Sequence, residues 1–374
     1  MRVGVVGDSI GQPCGVHDHA TLLAGALELQ GISCSLHWLS KSDGSLRAAG
    51  AELRAWTRTL GEELSRERPD ALLLHYSVFA LSHRGVPLFV RPLLSVLRES
   101  RLPLVTFMHE YAYPWRLGGL RGVAWAATQR VALIEAMRAS SAVVVSAEAR
   151  AGWLRSRPWL PDRPVSVAPV FSNLPPAGAA AGPVLADQLG LFGYAHEGVD
   201  AETVLDALAL LRDRGSPCRL VLLGAPGRNS SAGARWQDAA ARRGLAGALS
   251  FSGLLPAQEL SNRLAGCVAL LFAERGGPTS RKTTLAASLS SGRPLVALDG
   301  HSSWPELVRA RAALLARPDA SSLAGAVAGL LADQAARERQ GELGRAFARA
   351  QMSVERSADV VARAVADSIE RARR

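Results

Sequence analysis

The chain has 374 residues, 48% of them apolar and 5% aromatic, with a formal net charge of +10. That length asks for two compact domains, and the apolar fraction supplies two cores. The charge is spread at about +5 in residues 1–180 and about +5 in the remainder. No basic block is interleaved with aromatics, which excludes a dedicated nucleic-acid binder and suits anionic small molecules or a loose attraction to anionic lipid.

Strands and helices alternate from the first residues. RVGVVG (2–7) reads as a strand, followed by a Gly/Pro loop and a helical period over 17–29. Then come a strand at 32–38, a helix at 47–65, a strand at 71–76, a helix at 87–99 and a strand at 102–109. A helix over 120–138 leads to strands at 141–146 and 164–169. Near-continuous apolar strands separated by helices predict a parallel sheet covered on both faces. PPAGAAAGP (175–183) breaks the rhythm and reads as an interdomain linker. The alternation restarts with strands at 189–193, 218–224, 248–253, 267–273 and 294–300, and helices at 200–213, 232–243 and 257–265, with helices to the end after the last strand. The expected fold is α/β: two doubly wound Rossmann-like domains facing a central cleft, with ligands beyond the strand C-termini. The expected bounds are 1–178 and 184–352, with a last helical segment, 353–374, packing back on the first domain.

Cys14, Cys34, Cys218 and Cys267 form no CxxC pair and read as reduced thiols rather than a disulfide frame or zinc site. The first residues enter a strand directly, and no apolar run approaches the ~18 residues of a membrane span. A cytoplasmic protein is expected.

The chain uses 41 arginines and two lysines, Lys41 and Lys282. Lys282 lies in GGPTSRKTTLAASLSSGRPLVALDG, between a strand ending at Ala273 and a helix expected to start near Ser280. Gly276 and Gly277 let backbone approach a ligand. The first-turn N–H groups and positive helix end suit phosphate. Arg281 offers a planar fork and Lys282 a point charge, with hydroxyls from Ser280, Thr283 and Thr284. The run is one residue from a Walker A loop, with Asp299 ending a Walker B-like strand. Arg281 stands where that loop needs glycine, so a P-loop-like NTPase is the lesser reading.

In order and spacing, several stretches resemble the family 4 glycosyltransferases of the GT-B fold. These are CGVHDHATLLAGALELQG (14–31), FMHEYAYPW (107–115), LGLFGYAHEGVDAETVLDALALL (189–211), LVLLGAPG, SFSGLLPAQEL (250–260), SGRPLVALDG and SVERSADVV (353–361). The resemblance implies retaining, metal-independent transfer from a nucleotide-sugar bound by the second domain, with the acceptor mainly on the first. It puts Gly193 at the opening of the donor domain and Gly224, Leu254 and Leu255 beside the base. Gly15 sits in the first glycine loop, and His109 is the cleft histidine at the sugar end. The family's two loop glutamates are replaced by Thr279 and Ala287, and its Arg and Lys after the first donor strand by Tyr194 and Glu197. Glu274 is the candidate substitute carboxylate. Arg281 and Lys282 then replace the lost counter-charge for a nucleoside diphosphate leaving group.

His17-Asp18-His19 invites a metal reading, but neighbouring residues at a helix start splay apart, so no metal is expected there. Arg84, Arg91 and Arg98 recur every seven residues, which reads first as a solvated helix face and second as a stripe for peripheral contact with an anionic membrane. Tyr113 and Trp115 read equally as walls of an acceptor pocket or as packing for an interdomain loop. The function expected is transfer of a sugar from a nucleotide-sugar to a small-molecule, lipid-linked or glycan acceptor. A non-catalytic sugar-nucleotide-binding scaffold of the same fold is the alternative.

Overall fold

The computed structural model describes residues 1–11, 14–41, 45–115, 119–178 and 182–374. Pro13, in the first glycine loop, and residues 179–181 of the expected linker lie outside them. In chain order the elements are β1 (Arg2–Ile10), α1 (Gly15–Leu29), β2 (Ser33–Lys41), α2 (Leu46–Glu67), β3 (Ala71–Ser77), α3 (Val90–Glu99), β4 (Leu104–Glu110), α4 (Gly119–Ala139), β5 (Ala142–Val145), α5 (Glu148–Arg155) and β6 (Val165–Val167). They continue as β7 (Leu185–Phe192), α6 (Ala201–Asp213), β8 (Arg219–Leu223), α7 (Ser231–Ala241), β9 (Leu249–Gly253), α8 (Ala257–Ala265), β10 (Cys267–Phe272), α9 (Thr283–Ser290), β11 (Leu295–Leu298), α10 (Pro305–Arg309), β12 (Leu314–Ala316), α11 (Ala320–Ala332), α12 (Gln334–Gln351) and α13 (Val354–Arg373).

The chain divides into two units, Met1–Pro169 with Val354–Arg374, and Val170–Ser353. The first is built on a parallel sheet ordered β2-β1-β3-β4-β5-β6. Its inner strands β3 and β5 are buried along their whole length, as a sheet with helices on both faces requires. Leu72, Leu74, Tyr76, Leu93, Leu133 and Val143 are among the core residues. Helix α13 joins this unit because Ala358, Val361 and Val365 recur on one buried face. The Ser357 hydroxyl donates to the Pro169 carbonyl at 2.8 Å, and Gln30 donates to Asp359 at 2.8 Å.

The second unit has a parallel sheet ordered β12-β11-β10-β7-β8-β9, the dinucleotide-fold order when its strands are counted from β7. The change of unit falls before the Pro/Gly run expected as the linker. Val170 packs in the second core beside Val221 and Leu223, and its N–H donates to the Ser280 carbonyl at 3.1 Å. The described part of the run is itself held down on α8: Ser261 donates to the Pro175 carbonyl, Gln258 to that of Pro176, and Gly178 N–H to Asn262 Oδ1.

Two elements were not foreseen, α5 and the three-residue β12. The latter lies in an Ala/Leu/Arg run of helical composition but adds an edge strand to β11. No helix among the described residues is long and apolar enough to cross a membrane.

Candidate functional site

In the second sheet the chain leaves β7 toward β8 and β9, then returns on the other side of β7 to β10. The switch point therefore lies between β7 and β10, beyond whose C-terminal ends a ligand crevice is expected. Here the backbone after β7 runs beside that after β10. Asp200 N–H donates to the Ala273 carbonyl at 2.7 Å, and Arg275 N–H to the Gly198 carbonyl at 2.9 Å.

Four of the expected donor residues meet at this point. Gly193 has φ +85, and a Cβ there would lie 2.6 Å from Thr284 Cγ2, so the end of β7 touches the first turn of α9. Helix α9 begins at Thr283, with Lys282 as N-cap in extended conformation and no side chain capping it. By contrast α6, α7, α11 and α12 are each capped by an Asp or Ser oxygen. The first-turn N–H groups of α9 therefore have no side-chain cap competing for them. The start is three residues later than expected because Ser280 is buried, its carbonyl taken by Val170, while Thr279 to Lys282 forms a turn.

Lys282 Nζ lies 2.6 Å from Glu274 Oε1, with side chains 15% and 13% exposed. The lysine and the candidate catalytic carboxylate thus form one mostly buried ion pair rather than two independent groups. Arg281 is exposed and has no hydrogen bond or ion pair to another described residue. The glycines of the loop have a packing role of their own. Gly277 has φ +85, and a Cβ on it would overlap Ser303 Oγ and lie 2.9 Å from Gly300 N. Gly276 abuts Gly300 in turn. Asp299, the Walker B-like residue, spends Oδ1 on this turn, accepting from Ser303 Oγ at 2.6 Å and Gly300 N–H at 2.9 Å.

The residues assigned to the base lie at the ends of β8 and β9. Gly224 has φ +84, sits against the Phe192 ring and donates to Ser252 Oγ at 2.9 Å. Leu254 is exposed, whereas Leu255 packs half-buried against the core. Ala287 faces the core of α9 and Tyr194 is a core anchor, its hydroxyl accepting from Gly227 N–H at 2.7 Å. Thr279 keeps a buried hydroxyl with no hydrogen-bond partner among the described residues.

His109 belongs to the first unit, at the end of β4. The β3–β4 register runs Tyr76↔Met108 and then Ser77↔Glu110, so His109 is the extra residue of a β-bulge, a device that re-aims a side chain. Its Nε2 lies 2.9 Å from His75 Nδ1. His19, on α1, meets the His109 ring edge-on at 5.0 Å. Of His17-Asp18-His19, only His19 turns inward; His17 packs against Trp38. Burial drives all three inner imidazoles to the neutral form, with His19 pushed down to about 3. Gly15 is exposed at the first residue of α1.

Most of the surface candidates of the first unit have partners within it. Arg84 lies in the loop before α3, while Arg91 and Arg98 on α3 both bind Glu135 of α4, at 2.7 Å and through its carbonyl at 3.2 Å. The heptad stripe is therefore interhelical in two of its three members. Trp115 carries the Arg130 guanidinium on its face at 4.3 Å, and Tyr113 meets Trp125 edge-on.

Sequence reasoning missed His75, and also the other lysine. Lys41, at the end of β2, is buried against Asp8 of β1 and donates to the Ala80 carbonyl. The available signal was position: Asp8, Lys41, His75 and His109 all stand near the C-terminal ends of consecutive strands.

Replacing Gly193 with Ala should destabilise the second unit by about 1–3 kcal/mol, since a Cβ there meets both a left-handed φ and Thr284. Differential calorimetry checks it, with Gly215→Ala, also at positive φ but in open space, as the comparison for backbone strain alone.

Residues 187–333 match the family model described as glycosyl transferases group 1. The match spans most of the second unit and supports there the resemblance to glycosyltransferases read from the sequence. A sequence search of curated proteins returns no match. Among solved structures, the chain is similar to the sucrose-phosphate synthase of Thermosynechococcus elongatus, at 15% identity over 98% of this chain and 99% of that one, with a TM-score of 0.71. It is similar to Anabaena HepE, solved in complex with UDP-glucose, at 15% identity over 97% and 99%, TM-score 0.70. A glycosyltransferase from Rickettsia africae aligns at 11% identity over 99% of each chain, TM-score 0.68. The fold is therefore that of the GT-B glycosyltransferases, two Rossmann-like domains in one chain.

Proposed function

We propose that the protein transfers a sugar from a nucleotide-sugar donor to an acceptor, with retention of configuration and no metal at the diphosphate. The observation that carries this reading is the switch point of the second sheet. There an uncapped helix start, the bare backbone of Gly193 and a lysine converge. When the sugar–phosphate bond breaks, negative charge grows on the β-phosphate. Donors already aimed at it stabilise the transition state more than the ground state. Lys282 and the α9 N–H groups are the donors in this reading, Arg281 the exposed outer cation, and Glu274 the group that holds Lys282. The binding of UDP-glucose by HepE supports a donor of this class. His109 is the group this reading assigns to the donor sugar. The acceptor is a small molecule, a lipid-linked sugar or a glycan. The four free thiols fit a cytoplasmic location, and the exposed Trp115 and Leu120 suit peripheral membrane contact better than the paired arginines.

The test is a thermal-shift panel of nucleoside mono-, di- and triphosphates and nucleotide-sugars, with and without Mg²⁺. A ligand at a hundred times its Kd adds about 2.7 kcal/mol. Metal-independent stabilisation by one nucleoside diphosphate and its sugars is expected, followed by turnover of the stabilising sugar nucleotide. Stabilisation by ATP or GTP alone, dependent on Mg²⁺, would replace this reading with the NTPase, and binding without turnover with the scaffold.

A further inference from the structure

The histidines of the first unit form a cluster that the transfer reading uses only in part. His75 is on β3, His109 on the adjacent strand β4, and His19 on α1. His75 pairs in register with Phe107, so these two side chains share one face of the sheet, and the bulge at His109 brings its ring against both. The His75 and Phe107 rings stack with planes 4° apart, and Phe107 and His109 stack at 19°. His19 closes the group from α1, its ring centroid 5.6 Å from His75 and 5.0 Å from His109.

From these positions we infer that His19, His75 and His109 form a binding site for a divalent transition-metal ion, zinc in the first instance. One ligand atom from each ring lies within 4.8 Å of the other two. Some point is then no more than about 2.8 Å from all three, against a zinc–nitrogen bond of about 2.0–2.1 Å. Side-chain shifts well under 1 Å complete the geometry. The closest pair is already near its final spacing: His75 Nδ1 and His109 Nε2 are 2.9 Å apart, and two nitrogens on one tetrahedral zinc are separated by about 3.3 Å. A metal ion would replace the hydrogen bond between these two nitrogens, the donor ring moving its proton to its other nitrogen.

His75 Nε2 is buried with no hydrogen-bond partner among the described residues, so no second partner locks the ring in one tautomer. The ring pair is therefore not a closed network. Burial keeps the rings neutral, the form that ligates a metal. Imidazole donors select zinc, copper or nickel over magnesium or calcium. The nearby cation has other partners: Arg150 donates to the His109 carbonyl and lies 3.8 Å from Glu110. Three ligands leave a fourth position for solvent. The site stands on the first unit alone and does not depend on the transfer reading, whose leaving-group charge is met in the second.

The full chain, stripped with chelator, is titrated with Co²⁺ while the visible ligand-field bands are recorded, then with Zn²⁺ against a chromophoric chelator. One equivalent is expected, with bands of a four-coordinate ion. His19→Gln and His75→Gln should each weaken binding at least tenfold, and the exposed His301→Gln should leave it unchanged. Absence of bands, or equal affinity in the two cluster variants and wild type, overturns the site. Should a cluster variant not fold, wild-type protein labelled with ¹⁵N-histidine decides. Zinc should shift three of the eight imidazoles; shifts at none, or at exposed histidines only, overturn the proposal.

Discussion

Lys282→Met should lower kcat/KM for the nucleotide-sugar by two to three orders of magnitude, about 3–4 kcal/mol of transition-state stabilisation. The same substitution should also lower the melting temperature, for a separate reason. Glu274 and Lys282 form a mostly buried pair, and removing one partner leaves a charge that neither solvent nor protein compensates, a loss of about 3 kcal/mol. A single variant therefore mixes two effects. In the double variant Glu274→Gln/Lys282→Met no charge is left stranded, so stability should return to within about 1 kcal/mol of wild type. Activity should not return, because the leaving diphosphate still lacks its cation. Recovery of both would reduce Lys282 to a structural group and remove it from the donor site.

Glu274→Gln alone separates the two candidate roles of the carboxylate. Holding Lys282 is a positioning task, and the amide can still accept one hydrogen bond. Deleting the negative charge also leaves the crevice more positive toward a diphosphate. The expected outcome is a donor KM equal to or below wild type, with kcat reduced no more than about tenfold. A loss as large as that of the lysine variant would assign Glu274 a direct part in the reaction.

The two halves of the fold were legible because parallel strands buried on both faces write themselves as short apolar runs, such as ALLLHY in β3 and CVALLF in β10. Strand order was not legible, since it is set by which crossovers fit. The donor loop was found through one rare residue, Lys282. Its ion pair with Glu274 was not, because that contact depends on how the intervening loop folds back. Gly276 and Gly277 illustrate the converse. Glycines that read as space for a ligand are also space for the loop 299–303, and only the folded loop reveals the second use. His75 stayed hidden for a related reason: a histidine inside an apolar strand says nothing of its neighbours until β4 is known to lie beside β3.

The second large effect concerns the other lysine. Lys41→Met should destabilise the first unit by about 3–5 kcal/mol, a fall in melting temperature on the order of 10 °C. Lys41 and Asp8 are 2% and 1% exposed, and Asp8 Oδ1 has no partner among the described residues. Burial raises the Asp8 carboxyl above its usual value even with the lysine present; without that opposing charge it should rise further. A folded value above the unfolded one means that the native state holds the proton more tightly. Stability is then lost as pH rises from the unfolded value toward and through the folded one. The deficit of Lys41→Met should therefore be largest at neutral pH and shrink as pH falls toward 4. Denaturant midpoints of wild type and variant, measured at steps from pH 7.5 to pH 4.5, give the slope, and Asp8→Asn/Lys41→Met supplies the control. With the carboxylate gone, the double variant should recover most of the lost stability and show no such pH-dependent difference from wild type beyond what Asp8 itself contributes. A deficit constant with pH would locate the damage in the packing of the lysine stem beside Phe89, whose ring centroid lies 5.1 Å from Nζ, rather than in the stranded charge.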